Sequence, residues 1–440
     1  MKTLSSHQRM IATIGRRTAW SAMLLLGCLT TDPAFAATKW FLGTTTTAFT
    51  GAGSSGALAS WGTSANWSSV AGSGGASGAP AVTDDVVFTN STAAGVNYVG
   101  LGGGVTKNAN SAQFSTSGST YFGSSAAGSS GASYLAIASS LSLSAGSGPV
   151  TFPSVGTTPT AYGSATLYNQ KAALRASANT LSISNNSGSL LLFERTTDGT
   201  AAGLTTITIS ASSSGGITLA GINDGGFSAT SSGSTTAVIV DSPGSGTTTI
   251  NAASTFTGGL TLSRGVLAFQ SNTALGSDAA ATAGKGTVTL TSGTLLAINT
   301  RAAANPVVVG GNFGMGADST HEITLSGNVN LGGATRTVTL SNTCTISGTI
   351  SNGGLSLGWS GASVNNKMTL SGANTFAGGL TISASGTVIA GNVSAFGSGG
   401  VTVASGATLD LASFAVANAI TNNGGAILNA ETLHIANCTI

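Results

Sequence analysis

The sequence has few ionisable side chains. Only 6% of its 440 residues are charged, as 14 Lys and Arg and 12 Asp and Glu, and it contains 3 His. Soluble globular chains carry roughly 25% charged residues. The basic residues are scattered and form no patch, which argues against nucleic-acid binding. Because the acids and His are not clustered either, we expect no catalytic residues, no metal site and no cofactor.

Proline and helical patterns are also scarce. The 7 Pro and the absence of a three-residue Gly period exclude a collagen helix. No stretch after residue 36 carries a sustained apolar stripe at helical spacing. Disorder is disfavoured because 41% of the residues are apolar and the net charge is only +2.

Small polar residues dominate what is present. The chain contains 65 Gly, 63 Ser and 64 Thr, which is 192 of its 440 residues. Short runs such as 205–209, 286–290 and 335–340 alternate Thr with Val, Ile or Leu, a pattern typical of half-buried β-strands. Turn residues such as Asn352-Gly353-Gly354 separate the runs, since they adopt positive φ at low cost.

These runs predict an all-β solenoid. A sandwich of this length would need several domains with visible linkers, and no linker stands out. Stacked coils need short strands and frequent turns, and small residues allow neighbouring coils to approach closely. Coils of roughly 20–25 residues would give about 16–20 coils.

A long internal repeat supports the solenoid. Residues 254–262 (STFTGGLTL) recur 120 positions later as residues 374–382 (NTFAGGLTI). Both copies continue in the same order, through 265–267 or 386–388 and then through 274–277 or 395–398. An ordered series of matches is harder to attribute to composition than a single match.

The N-terminus has the features of an export signal. Four basic residues precede an 11-residue apolar run at 19–29, and Ala34-Phe35-Ala36 forms a small-residue cleavage pattern. We therefore expect cleavage after Ala36, and the apolar run is shorter than the about 20 residues that span a bilayer. Two alternatives are less favoured, a twin-arginine signal at Arg16-Arg17 and a lipoprotein signal with acylated Cys28.

Removal of residues 1–36 changes the charge and cysteine content. The remaining 404 residues carry 10 basic and 11 acidic side chains, which argues against electrostatic capture of anionic partners. Cys344 and Cys438 remain, and export would permit a disulfide between them. In a solenoid their separation of 94 positions places them several coils apart, so we favour two unpaired, buried thiols.

The segment KMTLSGANTFAGGLTI at 367–382 resembles the autotransporter-associated β-strand repeat, whose usual form is "tLsGaNTYtGgTtI" followed by a "GtL" strand. Residues 323–355 resemble the spacer coils of such proteins. Trp61, Asn66-Trp67 and the strand entry at 84–88 resemble their N-terminal pattern. The resemblance covers residues about 246–430 and about 60–90.

The two repeat copies depart from the family pattern at two positions. Phe256 and Phe376 stand where the repeat usually has Tyr, and Leu260 and Leu380 stand where it usually has Thr.

The resemblance implies an exported, surface-associated passenger folded as a right-handed parallel β-helix. The export signal at the N-terminus predicts a signal-peptide helix before it. We divide the chain into a signal peptide at 1–36, a Trp-containing β segment at 37–110, degenerate coils at 111–245 and repeat-bearing coils at 246–440. Full autotransporters add a C-terminal translocator of a few hundred residues. We therefore expect a free-standing secreted member or a truncated passenger, whose last coils would contact an outer-membrane translocator or self-associate.

Several residues are candidates for a functional role. His321-Glu322 is interpreted as a solvated strand edge, Asp84-Asp85 as a turn, and the Gly-rich segment 310–318 as a turn rather than a calcium loop. We assign no role to His434, which lies 113 positions from His321.

Two further patterns could contact ligands. Trp61 and Trp67 could stack on sugars, although a cap over the end of the core is the simpler interpretation. The pairs Thr287/Thr289 and Thr337/Thr339 suggest ice binding, but their spacing is irregular.

We therefore expect a non-catalytic structural or adhesin-like protein, secreted or held at the cell surface or outer membrane. Its partners would be cell-surface polysaccharides or other surface components. The alternative is a carbohydrate-active β-helix enzyme, for which Asp84, Asp224 and Asp318 are the candidate acids.

Overall fold

The computed structural model describes most of the chain after Ala36. The described residues are 37–41, 59–60, 67–68, 79–89, 97–101, 106–123, 133–152, 160–162, 165–167, 172–176, 179–194, 197–198, 203–224, 234–278, 280, 282–318, 321–360, 366–383, 385–430 and 438–439. All of them but Ala37 belong to one compact unit, Thr38–Ile440. They form β-strands and turns and include no helix. Accordingly, these residues contain no helix that could span a membrane.

Thirty-nine strands are formed by the described residues. The first eighteen are β1 Thr38–Phe41, β2 Ala59–Ser60, β3 Trp67–Ser68, β4 Asp85–Phe88, β5 Asn97–Gly100, β6 Thr106–Phe114, β7 Thr120–Gly123, β8 Ser133–Leu143, β9 Val150–Phe152, β10 Thr160–Tyr162, β11 Ala165–Leu167, β12 Ala172–Ala176, β13 Thr180–Asn185, β14 Leu191–Phe193, β15 Thr197–Asp198, β16 Gly203–Ala211, β17 Ile217–Leu219 and β18 Ile222–Asn223. The others are β19 Ser234–Asp241, β20 Thr247–Ile250, β21 Leu260–Arg264, β22 Val266–Phe269, β23 Val288–Leu290, β24 Thr294–Ala297, β25 Arg301–Ala303, β26 Val307–Val309, β27 Phe313–Ala317, β28 Glu322–Leu325, β29 Val329–Ser341, β30 Thr343–Ile346, β31 Ile350–Trp359, β32 Lys367–Leu370, β33 Leu380–Ile382, β34 Thr387–Ala390, β35 Val401–Ala404, β36 Thr408–Asp410, β37 Ile420–Asn423, β38 Ala426–Leu428 and β39 Cys438–Thr439.

Parallel pairing arranges these strands in three ladders, which we call faces A, B and C. Face A contains β1, β4, β6, β8, β13, β16, β19, β21, β23, β26, β29 and β31. Face B contains β2, β5, β7, β9, β14, β17, β20, β22, β24, β27, β29, β31, β33, β35, β37 and β39. The chain visits the faces in a fixed order, so each circuit is one coil, and the predicted parallel β-helix is confirmed.

Face C is built in two parts. The first part contains β6, β8, β12, β15 and β18. The second is a seven-stranded ladder of β25, β28, β30, β32, β34, β36 and β38. β6 and β8 span faces C and A, whereas β29 and β31 span faces A and B, because these strands continue around a corner of the coil.

Antiparallel pairing is limited in the described residues. At the N-terminal end, β1 pairs with β3 in antiparallel orientation and with β4 in parallel orientation. A separate antiparallel hairpin joins β10 and β11.

Period-two alternation explains which side chains enter the core. In β13 the residues Leu181 and Ile183 are buried between the more exposed Thr180, Ser182 and Ser184. Because pairing is parallel and in register, apolar residues stack on apolar residues from coil to coil. The column Val288, Val307, Val329 and Ile350 is one example.

The core changes composition along the helix. In the N-terminal coils, Phe88 stacks on Phe114 at 4.6 Å between ring centroids, and Phe122 stacks on Phe152 at 4.4 Å. Phe193 continues the stack at 4.9 Å from Phe152. After this point the buried residues are mainly Val, Leu and Ile. Such stacked ring contacts add to the stabilisation from burial.

Candidate functional site

Asp84 and Asp85 both accept hydrogen bonds within the protein, Asp84 from the local backbone and Asp85 from side chains of the next coil. Asp84 is buried, and its Oδ2 accepts the N–H of Ala81 at 2.9 Å, which closes the turn before β4. Asp85 Oδ1 accepts Asn110 Nδ2 at 2.8 Å and Ser111 Oγ at 2.6 Å, both from the next coil. Each carboxylate already accepts protein hydrogen bonds.

Asp224 links three coils. It follows β18, and its Oδ1 accepts the backbone N–H groups of Thr236 and Thr257. Its Oδ2 accepts the Thr257 hydroxyl. The carboxylate therefore replaces strand pairing at a corner, where backbone donors of two later coils would otherwise be left unpaired.

Asp318 and His321 form a half-buried pair. Asp318 Oδ1 lies 3.0 Å from His321 Nδ1 and accepts the N–H of Asn299 at 2.8 Å. The two side chains are 39% and 37% exposed. Glu322 begins β28 and is exposed, in agreement with a strand edge. The interpretation of 310–318 as a turn is wrong for Phe313–Ala317, which form β27, because these residues pair with β24 and β29.

The three candidate acids lie on coils far apart. Asp84 precedes β4, and four ladder steps on face A separate β4 from β16, the first strand of the Asp224 coil. Four more steps separate β16 from β26, the first strand of the Asp318 coil. At about 4.8 Å per step, neighbouring candidates are about 19 Å apart along the stack. Paired glycosidase carboxylates lie within about 5–9.5 Å, so these acids do not form such a pair.

The described residues hold no group of three or more His, Cys, Asp or Glu placed to bind a metal ion. Cys344 is buried and unpaired, and burial raises the pKa of its thiol to about 12. The side chains of Cys438, Trp61 and Trp67 lie outside the described residues, as do Cys28, His434 and the predicted signal peptide.

The Thr pairs do not form a continuous array. Thr289 has Thr261 on one side and Val308 on the other. Thr339 lies between Gly314 and Gly358. Methyl and hydroxyl groups therefore do not repeat from coil to coil at these positions.

A regular polar surface lies elsewhere, on face A between β6 and β16. We call it the hydroxyl face, and it consists of two rows that follow the ladder register. Its residues are Ser111, Ser140, Ser182 and Thr208 in one row and Gln113, Ser142, Ser184 and Ser210 in the other. All eight are uncharged and half-buried or exposed. Adjacent members are about 4.8 Å apart, because they occupy consecutive strands.

The sequence analysis did not predict the role of the buried Asn side chains, which bind backbone groups of neighbouring coils. Asn374 Oδ1 accepts the N–H of Ile350 at 2.7 Å, and its Nδ2 donates to the carbonyl of Ala395 at 2.6 Å. The equivalent residue of the first copy, Ser254, accepts the N–H of Ile222 at 3.1 Å. These side chains satisfy backbone groups where the ladder is interrupted.

A second pair of equivalent residues, Asn305 and Asn418, extends the repeat by one coil. Asn305 Nδ2 lies 2.7 Å from the Gly286 carbonyl, and Asn418 Nδ2 lies 2.7 Å from the Gly399 carbonyl. This pair could have been found from the sequence if the separation between the two copies were allowed to change. Ser277 and Ser398 are 121 residues apart, whereas Asn305 and Asn418 are 113 residues apart. An eight-residue insertion at 278–285 causes this change and hides the match.

Comparisons with protein families, curated proteins and solved structures found no match to this chain.

Proposed function

We propose that the chain is an exported, non-catalytic β-solenoid that acts as a structural or adhesive component of a bacterial surface. The single observation that carries the proposal is the hydroxyl face, a two-row uncharged polar surface on an uninterrupted parallel ladder. Hydroxyl groups at a constant spacing suit a neutral polymer that is itself rich in hydroxyls. The partner class is therefore a neutral cell-surface polysaccharide.

Two further observations support a structural role. The candidate acids Asp84, Asp224 and Asp318 already accept hydrogen bonds within the protein and lie on separate coils. The resemblance of 367–382 to the autotransporter-associated repeat agrees with export and surface exposure. Secretion after cleavage at Ala36 is part of the proposal, and N-terminal sequencing of the secreted protein would then begin at Ala37.

A binding experiment tests the partner class. The triple variant Ser140→Ala, Ser182→Ala and Thr208→Ala removes three hydroxyls from one row of the hydroxyl face. Each lost hydrogen bond costs about 0.5–1.5 kcal/mol, so affinity should fall at least about tenfold. The measurement is sedimentation with a panel of insoluble neutral polysaccharides, namely cellulose, xylan and a (1→3)-glucan.

The chain offers a matched control. Thr324, Thr345 and Thr369 are half-buried neighbours in one outward row of face C. The triple Ala variant of this row removes the same number of hydroxyls and should bind like the wild type. Equal losses in both variants, or no binding by the wild type to any polysaccharide, would contradict the proposed surface. Release of reducing sugars that is lost in an Asp84, Asp224 or Asp318→Ala variant would overturn the non-catalytic role.

A further inference from the structure

Two Asn-Gly steps occur in the sequence, at 352–353 and at 423–424, and each is followed by a second glycine. The side chain of an Asn can react with the backbone nitrogen of the next residue, and a glycine in that position has no Cβ to hinder the approach. The two steps share the same three residues. Any difference between their reactivities in the folded protein must therefore come from the structure.

The first of these side chains to consider is that of Asn423, the last residue of β37. It is exposed and forms no hydrogen bond with another residue that the structure describes. The turn is held instead by Asn422, whose Nδ2 donates to the Gly425 carbonyl at 3.0 Å and whose Oδ1 accepts the Gly425 N–H at 2.8 Å. No described contact thus holds the Asn423 amide away from the following peptide bond.

The Asn352 step, by contrast, is held on both sides by neighbouring coils. Asn352 Nδ2 donates to Asn330 Oδ1 of the preceding coil at 3.1 Å. Gly353 pairs with Ala334 of that coil, and its carbonyl accepts the N–H of Gly378 from the next coil at 2.7 Å. A reaction here must first break these hydrogen bonds.

The packing around the two glycines differs in the same direction. A Cβ on Gly353 would lie 2.7 Å from the Cβ of Leu331, so this backbone is tightly enclosed. A Cβ on the exposed Gly424 would meet no atom nearer than 3.6 Å. Gly424 lies beyond the end of β37 and forms an isolated bridge with Ala404. Backbone with few contacts opens locally at the lowest cost in free energy.

We propose that Asn423 is a site of spontaneous deamidation in the folded protein, whereas the same reaction at Asn352 is suppressed. The Gly424 backbone nitrogen loses its proton to hydroxide and attacks Cγ of Asn423, which closes a five-membered succinimide ring. Nδ2 takes up a proton from water and leaves as ammonia. Water then adds to one of the two ring carbonyls and breaks the bond from that carbon to nitrogen, which gives aspartate or isoaspartate. The net change consumes one water and releases one ammonia.

Both products place a carboxylate at an exposed position where the unmodified chain is neutral. Isoaspartate also adds one carbon to the main chain, which would disturb the pairing of Asn423 with Ala404. The modification would therefore alter both the charge and the backbone at this end of β37.

Peptide mass spectrometry of incubated protein tests the proposal. The full chain is incubated at mildly alkaline pH, in buffer and in parallel in concentrated denaturant. In denaturant the two steps should react at similar rates, because they share the same local sequence. In the folded protein Asn423 should react at least about tenfold faster than Asn352, because the hydrogen bonds of Asn352 and Gly353 must break first.

The variant Asn423→Gln is the matched control. Its longer side chain cannot close the five-membered ring, so the isoaspartate formed at this position should disappear while the reaction of Asn352 in denaturant continues. Equal rates at the two steps of the folded protein, or a faster reaction at Asn352, would overturn the proposal. So would the absence of reaction at Asn423 in the folded protein when both steps react in denaturant.

Discussion

The two repeat copies, residues 254–309 and 374–422, share a series of sequence matches but occupy different faces of the β-helix. In the first copy, the backbone N–H of Thr255 donates to the carbonyl of Ile222 on face C, and Leu260 lies on face A. In the second copy, the backbone N–H of Thr375 donates to the carbonyl of Ile350 on face A, and Leu380 lies on face B. The repeat is thus rotated by one face between its two occurrences.

This rotation shows what the repeat encodes. The conserved contacts are those within the unit and to the adjacent coil, such as the fully buried Phe256 and Phe376. Gly276 and Gly397 pack against these rings, and both adopt positive φ. All three faces are parallel ladders, and the unit is found at two different positions around the coil. The number of residues in the intervening coils decides which face receives it.

The largest expected effect is common to both copies. Phe256→Ala and Phe376→Ala should each lower the free energy of unfolding by about 3–5 kcal/mol, because a fully buried ring leaves a cavity. Chemical denaturation measures both values. Phe414→Ala, at a partly buried ring, should cost clearly less. A large difference between Phe256 and Phe376 would show that the two sites are not equivalent.

The second prediction is a difference in stability loss between equivalent substitutions in the two copies. Asn374→Ala removes two backbone hydrogen bonds and should cost about 2–3 kcal/mol, whereas Ser254→Ala removes one and should cost about 1 kcal/mol. Asn374→Ser should lie between these values, since Ser retains an acceptor. Equal losses for Asn374→Ala and Ser254→Ala would contradict the assigned hydrogen bonds. The measurement is again the denaturation midpoint with its slope.

A third effect concerns the turn after the Leu260 and Leu380 strands. Gly265 has a φ of +87°, and a Cβ there would lie 2.3 Å from the Ser242 carbonyl oxygen. Gly265→Ala should therefore destabilise the protein by at least about 1 kcal/mol. In the second copy Ser385 carries the positive φ, at +71°. Ser385→Gly should change stability by less than about 1 kcal/mol, because relief of strain and the entropy of Gly oppose each other.

The smallest effect belongs to the ion pair between Arg264 of the first copy and Asp241 of the preceding coil. Arg264 Nη2 donates to Asp241 Oδ2 at 3.0 Å, and hydrogen bonding from Arg264 lowers the pKa of Asp241. A lowered folded pKa means that the contribution is present above the unfolded pKa and is lost as pH falls through the folded value.

Asp241→Asn should therefore reduce Tm slightly at pH 7 and have no effect at pH 2. High salt should also remove the difference, because both side chains are substantially exposed. A loss that persists at pH 2 would assign the effect to packing rather than to charge.

The fold was predictable because its signals are local. Alternation in stretches such as 205–209 and 335–340 marks strands, and the observed strands β16 and β29 include them. In the part of the chain that the structure describes, face B contains 16 strands, a number within the predicted range of about 16–20 coils. The turn assigned to 310–318 was wrong for Phe313–Ala317, because the glycines at 314 and 316 in β27 resemble turn residues in sequence. They occur there because Thr294 and Ser341 of neighbouring coils leave no room for a Cβ.

The candidate site was less predictable. Asp224 lies alone in the sequence, and its partners Thr236 and Thr257 are 12 and 33 residues away. The hydroxyl face depends on the register that aligns Ser140 with Ser182 across 42 residues. These separations along the sequence cannot be predicted from a local pattern, because the lengths of the intervening loops vary.

By itself, the sequence determined that this chain forms strands with one apolar side and coils with small residues at their corners, because those preferences act between near neighbours. Only the tertiary structure decided which face each strand joins, which hydroxyls line up and which polar atoms are buried. The physical reason is that the face on which a strand lies depends on the combined lengths of the strands and loops before it. Ser277, next to the insertion at 278–285, is buried, for example, whereas its counterpart Ser398 is exposed.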